Sequence, residues 1–220
     1  ELSLTLDLLR GLYRSSENDG SGVNIWLNLS SYPAVLLFTA YGIGLTRSQR
    51  WKTLHTLLKA DWPQVHYEDK KLVSALFLSS WVGGDRAIWN QLEGLEKRKT
   101  PLSDHLLQIV AAWKTSFVGV SSEFELIFSR FETLASLAYF EENSEESLEQ
   151  AYKNQPQQPF CPMPVGRSGW SRSSTEDLIK ELQSEVTITS LLQAGFAKNS
   201  RRCLELFVEN FKRHAHIMQW

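Results

Sequence analysis

Disulfide scaffolding has little to work with in this chain. It holds two cysteines, Cys161 and Cys203, far apart and without CxxC spacing. Free thiols are the expected state, which fits a reducing compartment. An excess of one charge is missing as well. Lys plus Arg number 23 against 25 for Asp plus Glu, a formal net charge of −2. That balance gives no overall pull toward nucleic acid or an anionic membrane. Long apolar runs are also lacking. The longest, residues 34–45, is interrupted by Thr39, Gly42 and Gly44, and it is too short to span a bilayer. The first residues include acids and no basic segment, so no signal peptide is read there. Position 1 is Glu and already looks like the body of an element, so the chain is expected to be a fragment of a longer protein.

Catalytic patterns are sparse. The five histidines are His55, His66, His105, His214 and His216, and none forms HxxxH or HExxH. His214 and His216 are two apart, which on a helix points the rings about 200° from each other. Neither GxxxxGK[ST] nor GxGxxG occurs, so no phosphate-cradling loop is read. Glu123 with Glu125, and the acids at 141–146, fall where helix starts and a solvated connection are expected. Cys161 has Arg167 and Arg172 nearby in sequence but lies beside Pro162 and Pro164, with no base at hand. No catalytic residue, metal ligand or cofactor site is assigned. Any catalysis is expected in a domain outside this chain.

What is present is material for a core. Hydrophobic residues are 42% of the 220, with eight Trp and eleven Phe among them. A chain of this length buries enough surface to fold without metal or disulfide. Apolar residues recur at helical spacing in segments near 2–13, 32–45, 51–58, 72–81, 85–95, 100–113, 122–139, 175–194 and 200–217. The first segment, with Leu2, Leu4, Leu6 and Leu8, also alternates as a strand would. Ser15 to Gly22 reads as a polar loop, Trp62-Pro63 as a break, and Ser121 or Ser122 as a helix cap. Gly42 sits inside an apolar helix and calls for close approach of a second helix, which the Trp51, Leu54, Leu57 and Leu58 stripe supplies at once. The expected fold is all-α: an irregular bundle of about nine helices with tetratricopeptide-like antiparallel hairpins, forming one domain over 1–220.

Residues 154–172 form the one long irregular loop, rich in Pro, Gln, Gly and Ser. Loops of this length in a compact domain are functional or disordered. Arg167, Trp170 and Arg172 within it are candidate partner-binding residues, because Arg and Trp dominate binding hot spots. The alternative is a Trp170 tucked into the core and an Arg167 paired with a helix C-terminus. Arg47, Arg50 and Trp51, followed by Lys52, form a second candidate surface. Together with Arg201 and Arg202 they carry the alternative of nucleic-acid binding.

Several strings in order, YPAVLLFTAYGIGL with RWKTLHTLL, KTPLSDHLLQ, FSRFETLASLAYF, PVGRSGW and LLQAGFAKNSRRCLELF, carry a resemblance. From about Ser31 to Trp220 the chain resembles the helical C-terminal region of large bacterial multidomain proteins with sirtuin-like, TIR-like or P-loop effector modules. It departs from that pattern at Ser168, where an aromatic residue is expected. The resemblance implies a non-catalytic sensor, interaction or oligomerisation domain of a cytoplasmic antiviral defence effector. The implied partners are proteins: other domains of the same chain, a second copy, or a phage or host protein. No membrane partner is implied.

Overall fold

Twelve helices, nine of them of seven residues or more, make up almost all the regular structure among the described residues. The computed structural model describes residues 2–14, 29–62, 70–117 and 123–219. The polar loop at 15–22, Pro63, His66 and the Ser121 or Ser122 cap lie outside them. Helix α1 (Leu2–Arg14) buries Leu9 fully and Leu2, Leu6 and Tyr13 in part, so the 3.6-residue stripe wins over the alternating one. Helices α2 (Tyr32–Arg47) and α3 (Trp51–Leu58) form the expected hairpin, with Pro33 in the first turn of α2. Gln49 turns the corner at φ 52°. The only strands described are Asp61–Trp62 and Lys70–Lys71, which pair antiparallel with Asp61 opposite Lys71.

Several short elements follow. Helix α4 (Leu72–Leu76) leads into a 3-10 turn at Leu78–Ser80, and α5 (Arg86–Trp89) is a single turn. The helix expected over 85–95 thus stops early. Asp85 does cap it, accepting from the Ala87 N–H at 2.9 Å, but the chain leaves helical geometry well before Gly94 at φ 80°. Helices α6 (Pro101–Phe117) and α7 (Phe124–Phe140) are the longest of the central layer. Helix α7 buries Phe128, Phe131, Leu134, Leu137 and Phe140 along with Ser129, Glu132 and Thr133. Buried on nearly every side, it is the hub against which α2, α3, α4 and α6 pack.

The helix facing Gly42 is α7, not α3. A Cβ at Gly42 would stand 2.1 Å from Cε2 of Phe131, a ring that is 1% exposed. Sequence reasoning found the need for close approach and assigned it to the neighbouring helix in the chain. Gly42→Ala sets two effects against each other. Helix propensity favours alanine by about 1 kcal/mol, whereas overpacking a closed core costs about 1–3 kcal/mol. Packing should dominate, because Phe131 also packs on Phe38 and Phe77 and has nowhere to go. We expect a net loss in urea unfolding; a gain would show that Phe131 can shift freely.

The final third holds α8 (Glu145–Asn154), the one-turn α9 (Arg167–Trp170), α10 (Arg172–Leu182), α11 (Glu185–Gln193), a 3-10 turn at Phe196–Asn199 and α12 (Arg201–Gln219). Of the acids at 141–146, read as a solvated connection, Glu145 and Glu146 open α8 and Glu141 is buried. The Ser144 hydroxyl accepts from the Ser147 N–H, and Glu145 and Glu146 sit in the first turn, where negative charge favours a helix. The helix expected over 175–194 is two. Ser184 interrupts it by capping α11 through the Thr187 N–H at 3.3 Å. Among the described residues no helix is long and apolar enough to cross a membrane.

Candidate functional site

The amphipathic helix α12 organises the surface best suited to a partner. Leu204, Phe207 and Phe211 turn inward and are at most 2% exposed, while Arg201, Arg202 and Glu205 face outward. Beside it, α10 and α11 leave an open groove of about 370 Å³. Leu182, Ile188, Leu204 and Val208 form its apolar floor, Tyr152 of α8 closes one side, and Glu185, Arg201, Arg202, Glu205, Glu209 and Lys212 are its polar rim.

The rim charges are mostly paired. Arg201 crosses to Glu185 on α11 at 2.5 Å. Arg202 reaches Glu149 of α8 at 2.5 Å and Glu205 at 3.3 Å. Arg213 pairs with Glu209 at 3.0 Å and lies 4.8 Å from the centre of the Tyr152 ring. The neighbouring guanidinium groups hold the Glu149 and Glu185 carboxyls below the usual carboxylate range. The Arg201 and Arg202 pairs are largely exposed and each contributes little to stability. Their effect is to fix the rim geometry and leave Lys212 as a cation of the groove with no ion pair among the described residues.

The loop chosen from sequence is tied inward at many points. Asn210 of α12 accepts the Phe160 and Cys161 N–H groups at 2.9 and 3.1 Å, and donates to the Cys161 carbonyl at 2.9 Å. The Ser136 hydroxyl donates to the Pro164 carbonyl at 2.7 Å. Ser103 of α6 accepts the Arg167 N–H at 2.9 Å and donates to Glu132 at 2.5 Å. The Ser168 N–H donates to the other Glu132 oxygen at 3.3 Å. Glu132 is fully buried, and desolvation raises its pKa to about 7 against the opposing pull of its two donors. Gly166 is moulded to it: a Cβ there would stand 2.2 Å from a carboxylate oxygen. The irregular part runs over 155–166 only, since Asn154 ends α8 and Arg167 opens α9.

Arg167 points its guanidinium to Asp104 at 3.0 Å and Glu125 at 3.1 Å, in the first turns of α6 and α7. Helix N-termini, not a C-terminus, supply its partners. It also lies 5.5 Å from the centre of the Trp170 ring. Trp170 is half-buried, and its Nε1 is shielded with no hydrogen-bond acceptor among the described residues. Arg172 is 83% exposed and, among the described residues, pairs with Glu176 one turn on. Arg47 and Arg50 are exposed around the α2–α3 turn, while Trp51 is half-buried against the core. The six candidates therefore divide between the α2–α3 turn and the α9–α10 region. Of the basic clusters in the sequence, Arg201-Arg202 and, through Lys212, Lys212-Arg213 lie at the groove.

The groups considered for catalysis sit in unreactive surroundings. The Cys161 thiol meets the Asn143 amide at 3.4 Å and the Pro162 carbonyl at 3.6 Å. Burial pushes its pKa up to about 11, which keeps it a protonated thiol rather than a nucleophilic thiolate. His105 shares a hydrogen with the Tyr32 hydroxyl at 2.8 Å, and its ring lies tilted 5.0 Å from the Trp89 ring. Burial lowers its pKa. Among the described residues no three His, Cys, Asp or Glu side chains gather as metal ligands would.

Sequence reasoning missed Tyr152, Glu132, Ser103 and Asn210. The first lay between the acidic run and the irregular stretch and was assigned to neither. The other three owe their roles to partners distant in sequence. No family model, no curated protein and no solved structure matches this chain.

Proposed function

We propose that this chain is a non-catalytic helical interaction domain whose docking surface is the α10–α11–α12 groove. The groove carries the reading: an open channel with a mostly polar, charged lining over a small apolar floor suits a charged protein segment that carries a few apolar side chains. The placement of the Cys161 thiol and the His105 ring supports a binding role over chemistry. The setting, a sensor or oligomerisation domain in a cytoplasmic bacterial defence effector, rests on the resemblance of the quoted strings. The nucleic-acid alternative loses force because Arg201 and Arg202 are already matched by Glu185, Glu149 and Glu205.

A photo-crosslinking side chain at Lys212, in the full-length natural protein, tests the proposal in cells. We expect a protein adduct from position 212, none from the exposed control position Gln108 on α6, and loss of the adduct when Val208→Trp fills the groove. Equal labelling at both positions, or no labelling at 212, would remove the groove as the docking surface.

A further inference from the structure

Three consecutive residues between α11 and α12 lie in the left-handed region without being glycine. Ala197, Lys198 and Asn199 have φ of 52°, 53° and 60°, and Gly195 just before them has φ of 103°. Each such residue is strained by the clash of its Cβ with the backbone, and a run of three persists only where the surroundings over-determine it. Here a buried carboxylate does so. Glu141, 2% exposed, accepts the Ala197 N–H at 2.6 Å and the His55 Nε2–H at 2.7 Å, with Lys59 Nζ at 3.8 Å. The His55 ring lies 4.7 Å from the fully buried Phe196 ring and presses on Gly195, where a Cβ would stand 2.8 Å from Nδ1.

The helix attached to this turn is lightly anchored. Helix α11 buries only Ile188 and Leu191, and Val186 is 80% exposed. Its far end is held by its own Ser184 cap and by the Glu185–Arg201 pair, whose side chains are 72% and 50% exposed. Helix α12, on the opposite wall, buries eight side chains. Low burial and exposed polar contacts mark the part of a fold that opens locally. Ile188 lies on the groove floor and Glu185 on its rim, so the position of α11 sets the groove's width.

We propose that α11 is a movable wall of the groove, pivoting on the left-handed turn at 195–199, with Glu141 as the catch that holds it closed. This rests on the groove being the docking surface, and it adds how access to that surface is controlled. In the closed state the catch stores the strain of the turn. In the open state the Ala197 N–H leaves Glu141 and the turn relaxes.

Amide hydrogen exchange on the intact protein tests it. In the wild-type chain, residues 188–193 should exchange roughly tenfold or more faster than 206–211 of α12, with little dependence on low denaturant. Glu141→Ala should speed exchange in α11 and the turn by roughly another tenfold, leaving α6 unchanged. Lys198→Gly, at an exposed position where glycine tolerates positive φ, should slow α11 exchange about fivefold relative to Lys198→Ala, which equally lacks the Lys198 Nζ bond to the Asn143 carbonyl at 2.8 Å. If Glu141→Ala does not fold, Lys198→Gly alone decides. The proposal is overturned if α11 exchanges only at the rate of the α12 core, or if α11 in Lys198→Gly exchanges no more slowly than in Lys198→Ala. Exchange needs no partner, so a failed hinge and an empty groove in the crosslinking experiment are separate results.

Discussion

Replacing Asn210 with leucine is expected to cost about 4 kcal/mol of folding stability in urea unfolding, because two buried donors lose their acceptor at roughly 1–3 kcal/mol each. The side chain is completely buried, and leucine fills a similar space without offering an oxygen. The Phe160 and Cys161 N–H groups would be stranded, while the Cys161 carbonyl keeps the His214 ring at 2.9 Å. The damage should spread to the groove. Phe160 packs edge-on against Tyr152 at 5.4 Å, and Tyr152 is a groove wall. A loss below about 1 kcal/mol would mean that water or a backbone shift replaces the amide, and that the segment is held by less than its geometry indicates.

Glu132→Gln should remove a pH dependence of the wild-type chain. The carboxyl titrates at about 7 in the folded protein against an ordinary 4.5. Between those values the folded state holds a proton that the unfolded state has released. Its contribution is therefore fully present below pH 4.5 and disappears as pH rises through 7. The accumulated loss by pH 8 is about 3 kcal/mol at 1.36 kcal/mol per pH unit. Glutamine keeps both local bonds, its oxygen accepting from the Ser168 N–H and its amide donating to Ser103. The variant should match or fall below wild type near pH 4.5 and exceed it at pH 8. Denaturant midpoints across that range decide; a variant with the same slope as wild type would place the titration elsewhere.

The parts of the fold that depend on periodicity were legible in the sequence. Leu204, Phe207 and Phe211 on α12, and Phe128, Phe131 and Leu134 on α7, lie inside as their spacing predicts. Helix α8 was not legible, because its single buried residue, Leu148, gives no stripe to detect. Its cap at Ser144 was the available signal. The break at Ser184 had the same kind of signal and was hidden within a continuous apolar pattern. Glu132 looked like an ordinary polar position in an apolar helix. Its partners Ser103 and Ser168 are 29 and 36 residues away, and single-sequence spacing carries no information about such pairs. Arg167 and Trp170 were singled out as candidate partner-binding residues. Much of what they touch lies within the protein, where Asp104, Glu125 and their own pairing engage them. Ser168 shows why an aromatic residue would not fit this loop: it is fully buried, against a carboxylate that α7 holds in place.

The anchoring of residues 155–166 also sets an order of events during synthesis. The N–H groups of Phe160 and Cys161 are satisfied by a side chain 50 and 49 residues further along the chain. A ribosome that has just released this segment has not yet translated its acceptor. Until α12 emerges and docks, the segment has no native place to rest, and Phe160 and Tyr152 stay available to other apolar surfaces. The interval between those two moments is when this chain is most exposed to wrong pairings, and where a chaperone would have most to protect.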